Sequence, residues 1–507
     1  SIIDENNNPY VFGIFIYDVL EDCNLSIKNC EFKNITSIGN NVITDLVGAV
    51  YGLYVVTTRS KGIKTALNGT IIIENINNID EDGDIIKEDA AGIYIVCSES
   101  EDLNRINKIK TIINNISATN YGKRCIKLDS LFSTVSNINA SSNFISDTVV
   151  SCNSYGRTDR YEFLNNAHCS ISNITFTGYT NYIVDTGLPN TYINNIYADT
   201  NGGWGAIKVH DWVSEINISN LFIKEIPIIS FNDTNIPKYI PKINIKDVSC
   251  TFTKCTFGNN IWHRPVLQYN TADVTINNLT INTTVGIIWD YNDIPNSNVN
   301  YNGYEQGNLT IDGLTVVNNY DGEYVVVDNT LYTIITTEDN KYIEKYGKEY
   351  VIINDNIYTV NISEENKYIE IEGIQYNIQK FDFNKINSYF FDFNREISLK
   401  IKNFDIKTYC PSLIRSNNCR NLNLEHGKFE SLNNIQKDQY SIVLDPIDIT
   451  SNISISDLRI IKYVDLNKEV LINNSSNNDN TLIVSIDKSI NQIDSSWKII
   501  NSFNPEL

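Results

Sequence analysis

One pattern occurs three times in the middle of the chain, as Ile171-Ser-Asn173-Ile-Thr-Phe176, Ile193-Asn-Asn195-Ile-Tyr-Ala198 and Ile218-Ser-Asn220-Leu-Phe-Ile223. The central Asn residues are 22 and 25 positions apart. Between the copies lies a second apolar run, first at residues 182–185 and then at residues 206–210. A fixed period of this length, with units too small to bury an apolar face alone, indicates a repeat fold. Each unit therefore holds at least two short strands and no helical pattern.

The pattern, apolar-x-(Asn/Asp)-apolar-x-apolar, extends over most of the sequence, from residues 27–32 to residues 455–460. Its other copies have as their third residue Asn29, Asn75, Asn115, Asn137, Asp247, Asn278, Gly313, Asn403, His426 and Asp457. Asn, Asp, Gly and His are the residues that best tolerate a left-handed backbone. We therefore predict a tight bend between two strands at each of these positions. In stacked repeats, side-chain amides at the bends would hydrogen-bond from one level to the next.

These copies resemble the successive coils of right-handed parallel β-helix proteins of the pectate-lyase-like and bacteriophage tailspike type, including their asparagine ladder. The resemblance implies an all-β fold, a right-handed parallel β-helix, to which the sequence adds a small antiparallel β insertion. The short motifs of the best-known pectinases are missing, because the chain contains no Gly-His-Gly, no Arg-Ile-Lys and no Asp-Asp pair. The resemblance therefore concerns the fold more than the chemistry.

Three regions follow from the distribution of the pattern. Residues 1–329 are predicted to form the main coils, residues 330–389 a β-hairpin insertion, and residues 390–507 the β-helix continuation and a C-terminal cap. In the insertion, Asp355-Asn356 and Glu372-Gly373 separate alternating apolar runs, which is typical of hairpin turns. Polar excursions from the coils are predicted at residues 57–69, 79–90 and 153–164.

Composition narrows the functional classes. The 507-residue chain has a net charge of −21, which argues against a nucleic-acid partner because such partners need a basic surface. The ten Cys residues are too dilute for a disulfide scaffold, and we interpret those in strands as buried thiols. The four His residues are scattered, so we expect neither a metal site nor a cofactor. No apolar run has the length of a membrane span and no signal-peptide pattern opens the sequence, so we expect no membrane insertion.

Acidic residues and one His recur at the ends of equivalent strands, at Asp129, Asp185, His210, Asp211, Asp290 and Asp328. Cleavage of a glycosidic bond needs an acid and a base on either side of that bond, and adjacent levels of stacked strands supply this separation. We predict that Asp211 and Asp185 are the catalytic pair, that His210 carries protons beside them, and that Asp129 is a further catalytic candidate. The alternative is that a polar residue simply ends each strand.

Aromatic residues flank the same region. Trp204 and Trp212 lie on either side of the His-Asp pair, and a second cluster is formed by Trp262, His263 and Arg264. Aromatic faces stack on sugar rings, so these five residues are the predicted substrate-binding set. The alternative is that the Trp residues cover the side of the strands and that the His residues are ordinary surface groups.

The resemblance implies a virion surface protein, a tail or capsid appendage that is a homotrimer and contacts other virion proteins. Its predicted partner is host-surface polysaccharide, which it recognises as a spike or tail fibre protein and which a polysaccharide depolymerase of the hydrolase or lyase type would also cleave. The alternative is a receptor-binding or structural β-helix protein without chemistry, on a virion, at a cell surface or outside the cell. The sequence leaves the two classes open.

Overall fold

The structure is a computed structural model. It describes residues 2–3, 9–17, 23–38, 50–56, 63–79, 85–86, 90–96, 110–130, 132–152, 167–210, 213–231, 241–252, 254–256, 263–267, 272–283, 286–290, 308–318, 323–327, 330–336, 349–353, 356–363, 366–380, 389–393, 397–408, 410, 412–417, 419–431, 442–445, 451–462, 470–472, 482–486 and 499–501. These residues form strands and short connections, and none of them is helical. The predicted all-β class is confirmed.

The chain divides into two compact units. The first contains Ser1–Asp247, Thr271–Asp273 and Asn298–Gly303, and the second contains Val248–Asn270, Val274–Ser297 and Tyr304–Leu507.

The strands of the first unit are β1 (Ile2–Ile3), β2 (Pro9–Tyr17), β3 (Cys23–Lys28), β4 (Glu31–Ile38), β5 (Val50–Val56), β6 (Ile63–Asn68), β7 (Ile71–Ile79), β8 (Ile85–Ile86), β9 (Ala90–Val96), β10 (Lys110–Thr119), β11 (Arg124–Asp129), β12 (Phe132–Cys152), β13 (His168–Thr186), β14 (Asn190–Thr200), β15 (Gly205–Val209), β16 (Glu215–Lys224), β17 (Ile229–Phe231) and the first half of β18 (Lys242–Phe252). Two series of parallel pairings connect the strands from β9 to β17. One series joins β10, β12, β13, β14 and β16, and the other joins β9, β11, β12, β13, β15 and β17. The long strands β12 and β13 bend and take part in both series.

Each predicted bend adopts the left-handed conformation. All thirteen third-position residues have a positive φ, from 47° at Asp457 to 79° at Gly313. The left-handed residue shifts the inside-outside alternation of the strand by one, so the apolar residues that precede and follow it both point inward. In the copy at Asn195, for example, Ile193 and Ile196 are both buried. This is why the apolar residues on either side of the Asn are three positions apart in the sequence, whereas the two apolar residues after it are two positions apart.

The core contains a column of similar aliphatic side chains. Ile138, Ile174, Ile196 and Leu221 are in register on four successive levels, and all four are buried. The bends form the predicted ladder beside them. Asn173 Nδ2 donates to Asn137 Oδ1 at 3.0 Å, and Asn195 Nδ2 donates to Asn173 Oδ1 at 2.7 Å.

The N-terminal levels contain a second column of bends that the pattern search missed. Asn34 also has a positive φ, of 54°, and its Oδ1 accepts from Asn75 Nδ2 at 2.9 Å. The bend at Asn29 belongs to a different column, which continues through Gly69. The Gly69 carbonyl accepts from Asn115 Nδ2 at 2.9 Å. The search overlooked Asn34 because its third following residue is Ser37, where the pattern requires an apolar residue.

The second unit contains the rest of β18 and then β19 (Lys254–Thr256), β20 (His263–Pro265), β21 (Asp273–Thr283), β22 (Gly286–Asp290), β23 (Asn308–Asn318), β24 (Glu323–Val327), β25 (Thr330–Thr333), β26 (Ile335–Thr336), β27 (Glu349–Ile353), β28 (Asn356–Thr359), β29 (Asn361–Ile362), β30 (Lys367–Ile371), β31 (Ile374–Asn377), β32 (Gln379–Lys380), β33 (Tyr389–Phe393), β34 (Ile397–Thr408), β35 (Ser412–Asn417), β36 (Cys419–Ser431), β37 (Ile442–Asp445), β38 (Ser451–Lys462), β39 (Val470–Ile472), β40 (Leu482–Ile486) and β41 (Ile499–Asn501). One parallel series joins β21, β23, β34, β36, β38 and β40, and another joins β22, β33, β35, β37, β39 and β41.

Antiparallel pairings interrupt the parallel series from β24 to β32. The predicted hairpin turn at Glu372-Gly373 is confirmed, because both residues have positive φ values, of 50° and 81°, as a two-residue turn of this kind requires. The small core of this region is built from Val325, Val327, Tyr332, Ile334, Val351, Ile353 and Ile369.

One local prediction differs from the structure. The predicted excursion at residues 57–69 contains β6, which pairs in parallel with β3 and β10, because its alternating Ile63, Thr65 and Leu67 suit a strand.

Candidate functional site

Two of the predicted catalytic residues, Asp185 and His210, meet at the ends of β13 and β15. Asp185 lies near the end of β13, and its register partner on β15 is Lys208. His210 follows β15 directly, and its backbone N–H donates to the Thr186 carbonyl at 3.0 Å. His210 is thereby held two positions beyond the register partner of Asp185, so its side chain reaches that carboxylate diagonally.

The Asp185–His210 contact is the shortest polar contact of this group. His210 Nε2 lies 2.6 Å from Asp185 Oδ1, while only 1% of the Asp185 side chain and 12% of the His210 side chain are exposed. A proton on Nε2 is donated to the carboxylate, which leaves the lone pair of the neutral ring on Nδ1. The arrangement can therefore orient His210 as a proton acceptor.

Opposing effects act on the pKa of Asp185. Burial is the largest effect and would raise it, but the charge and hydrogen bond of His210 and the charges of Lys208 and Arg124 together lower it below its usual value. Ser151 Oγ adds a long hydrogen bond to Oδ2 at 3.4 Å. Asp185 is consequently an ionised, buried carboxylate at neutral pH, which suits a residue that positions His210.

An aromatic and cationic group adjoins this pair. The Trp204 side chain is 64% exposed and meets the Tyr182 ring edge-on, with ring centroids 6.1 Å apart. Lys208 Nζ lies 4.8 Å from the centroid of the same Tyr182 ring. Tyr182 lies three positions before Asp185 on β13, which is roughly 10 Å along a strand. We call Trp204, Tyr182, Lys208, Asp185 and His210 the β13–β15 strip.

Asp129 does not join the strip. It is 7% exposed, and its Oδ2 accepts a hydrogen bond from the Tyr94 hydroxyl at 2.6 Å. Lys127 Nζ lies 4.1 Å from the Tyr94 ring centroid. Burial, followed by the Asp129 charge, raises the pKa of Tyr94, so its hydroxyl keeps its proton and remains a donor. Asp129 is thus part of a separate contact between neighbouring strands.

Aromatic rings beyond Tyr94 form a stack along one face of β2, β5 and β9. The centroids of Phe15 and Tyr54 are 5.4 Å apart and those of Tyr54 and Tyr94 are 5.0 Å apart, with the rings stacked. The inner rings of this stack are in face-to-face contact with each other, while Phe15 at its edge is 40% exposed. Trp204 is the described aromatic residue that the strip presents to solvent.

The remaining site residues are not brought into this group. Asp211, Trp212, Trp262 and Asp328 lie outside the described residues. His263 and Arg264 belong to β20, and Asp290 to β22, which are in the second unit, and the structure describes only their backbone. The assignments of all these residues stay predictions.

The sequence reading missed Lys208, Tyr182, Arg124 and Ser151 as members of the site. It aligned Asp185 with His210 as equivalent strand ends, whereas the register places Asp185 beside Lys208. Aligning the apolar positions Val184 and Ile207 would have found this register.

Searches against protein families, curated proteins and solved structures return no match to this chain. Within the described ranges, no group of three or more His, Cys, Asp or Glu residues is placed to hold a metal ion. The same ranges contain no helix long and apolar enough to cross a membrane.

Proposed function

We propose that the parallel strands within each unit are wound as a right-handed parallel β-helix. The proposal is supported by the regular parallel registers, by the left-handed bend in every copy of the pattern and by the ladder of Asn side chains. An experimental structure in which the two parallel series of a unit do not alternate around a common core would refute it.

We propose that the protein is a virion surface spike that binds and cleaves host-surface polysaccharide at the β13–β15 strip. The observation that best supports this proposal is the 2.6 Å contact between His210 and the buried Asp185. The exposed Trp204 directly precedes β15, the strand that His210 follows. A sugar ring stacked on Trp204 would place the following sugars along Lys208 toward His210. The virion location and the polysaccharide of a host surface come from the resemblance to tailspikes.

In this proposal, His210 accepts a proton through Nδ1, and Asp185 orients the ring and stabilises its charged form. Asp185 remains ionised throughout, because the cationic groups around it lower its pKa. We assign the role of acid to Asp211, the other member of the predicted catalytic pair, which directly follows His210 in the sequence. Hydrolysis and β-elimination both use a base of this kind, and they differ in whether the product carries an unsaturated end.

The test is incubation with a panel of bacterial capsular and O-antigen polysaccharides, with shorter chains and unsaturated ends as the readouts. We expect His210→Gln to reduce cleavage about 100-fold or more while binding is retained, since general-base catalysis contributes this much. His168→Gln is the matched control, because His168 is exposed at the start of β13 and is not part of the strip. Equal activity of both variants would refute the assignment.

Binding is tested separately at Trp204. We expect Trp204→Ala to weaken glycan binding by about 1–3 kcal/mol, as for other aromatic stacking surfaces. Phe222→Ala is the control, because Phe222 is an exposed aromatic residue of β16 in the same unit. If both variants bind as the wild type does, the glycan site lies elsewhere.

The second candidate is a receptor-binding or structural β-helix protein without catalysis. It is favoured by the burial of Asp185, because an acid–His pair that shields two charges can also serve only to stabilise the strands. Binding of a glycan with no shorter product after prolonged incubation would select this candidate.

We further propose that the spike is a homotrimer that contacts other virion proteins, as the tailspike resemblance implies. A trimer is the expectation for light scattering of the purified protein, and a monomer at micromolar concentration would contradict it.

A further inference from the structure

Two cysteines meet at the corner where β12 ends and β13 begins. Cys152 is the last residue of β12, Cys169 is the second residue of β13, and both side chains are fully buried. Their Sγ atoms are 2.8 Å apart. A disulfide bond is about 2.05 Å long, so a movement of less than 1 Å would bring the two sulfurs to bonding distance.

On the next level of the fold, the same corner is occupied by a pair of Thr residues. Thr186 is the register partner of Cys152, and Thr191 is the register partner of Cys169. The two Thr hydroxyls are 2.7 Å apart, which is the usual length of an O–H···O hydrogen bond. The corner therefore holds two small polar side chains against each other at a distance that suits oxygen.

Sulfur is a larger atom than oxygen, so two thiols at nearly this separation lie inside their van der Waals contact distance. The sulfurs can leave this separation either by moving less than 1 Å closer and forming a covalent bond or by moving apart as two free thiols. We propose that Cys152 and Cys169 form a disulfide that joins the end of β12 to the start of β13. The proposal is independent of the function proposed above.

The bond forms by two thiol–disulfide exchanges with a small disulfide such as oxidised glutathione. One cysteine thiolate attacks it and forms a mixed disulfide, and the second cysteine displaces the remaining glutathione. The two cysteines are oxidised, one glutathione disulfide is reduced to two thiols, and these take up the two cysteine protons. Atoms and electrons therefore balance without a metal or oxygen.

The exchange belongs to the folding reaction, before the corner closes. In the folded chain, the hydrogen bond to Cys169 and burial raise the pKa of Cys152, and a protonated, buried thiol is unreactive. Once formed, the bond links the two ends of the segment between residues 152 and 169 and restricts the unfolded chain. It would persist only where thiols are not kept reduced.

Mass spectrometry tests the bond directly. The protein is refolded with oxidised and reduced glutathione, alkylated in denaturant and digested with trypsin without reductant. Cleavage after Lys or Arg places Cys152 in peptide 128–157 and Cys169 in peptide 161–208, with no other Cys in either. We expect these two peptides to be found linked and to separate on reduction, whereas the buried Cys250, in peptide 247–254, is alkylated.

Urea unfolding tests the consequence. Reductant should lower the unfolding midpoint of the wild type and leave that of the double variant Cys152→Thr/Cys169→Thr unchanged, since the variant copies the hydroxyl pair of the next level. Peptides 128–157 and 161–208 that are alkylated separately after oxidative refolding would overturn the proposal. So would a linkage of either cysteine to Cys250. The peptide result does not depend on whether the double variant folds.

Discussion

Asn173 is the residue at which the bend and the ladder are best tested together. Its backbone has a φ of 56°, its Nδ2 donates to Asn137, and its Oδ1 accepts from Asn195. Replacement by Ala removes both side-chain hydrogen bonds and places a methyl group on a left-handed backbone. Replacement by Gly removes the same bonds but relieves the backbone.

The magnitudes follow from these two contributions. Each hydrogen bond is exposed, so the pair contributes about 1 kcal/mol, at the low end of the usual range. A left-handed conformation costs an L-residue with a Cβ about 1–2 kcal/mol, and Asn tolerates it better than Ala. We therefore expect Asn173→Ala to lower the free energy of unfolding by about 2–3 kcal/mol and Asn173→Gly to lower it by about 1 kcal/mol less.

Urea unfolding followed by circular dichroism measures both variants against the wild type. Asn139→Ala is the control, because Asn139 is exposed on the same parallel series in an extended conformation, where the change should stay within about 0.5 kcal/mol. Equal midpoints for the Ala and Gly variants would refute the backbone contribution. If the Ala and Gly variants both unfold at the wild-type midpoint, the contribution of the ladder hydrogen bonds to stability is refuted as well.

Three further predictions concern the core and the site. Phe176→Ala should lower the free energy of unfolding by about 3–5 kcal/mol in urea titrations, because its register partners Ala140 and Ala198 are too small to fill the cavity. Gly52→Ala should cost about 1–3 kcal/mol or more by thermal unfolding, since the new Cβ would lie 2.6 Å from the Gly92 carbonyl oxygen. The lowered pKa of Asp185 gives stability that is present above about pH 4 and lost as the pH falls through the folded value, so Asp185→Asn should lose less stability between pH 5 and pH 2 than the wild type.

The sequence by itself determined the bends and the sides of the strands. A residue such as Asn220 tolerates positive φ through its own side chain, and the apolar residues around it alternate within a few positions. The turn at Glu372-Gly373 was equally readable, because two-residue turns depend on local backbone preference. These features are local, and local features leave a pattern in the sequence.

The tertiary structure alone decided the register between levels. Asp185 lies beside Lys208, and His210 reaches it diagonally, because β13 and β15 end at the paired residues Thr186 and Val209, one position after Asp185 and one position before His210. The register likewise pairs Asn34 with Asn75, whereas Asn29 accepts from the backbone N–H of Thr70. The fold also brings Cys152 to Cys169, which no spacing in the sequence indicates. Which side chains meet depends on how far each connection travels before the chain returns, and the repeat pattern carries no record of that distance.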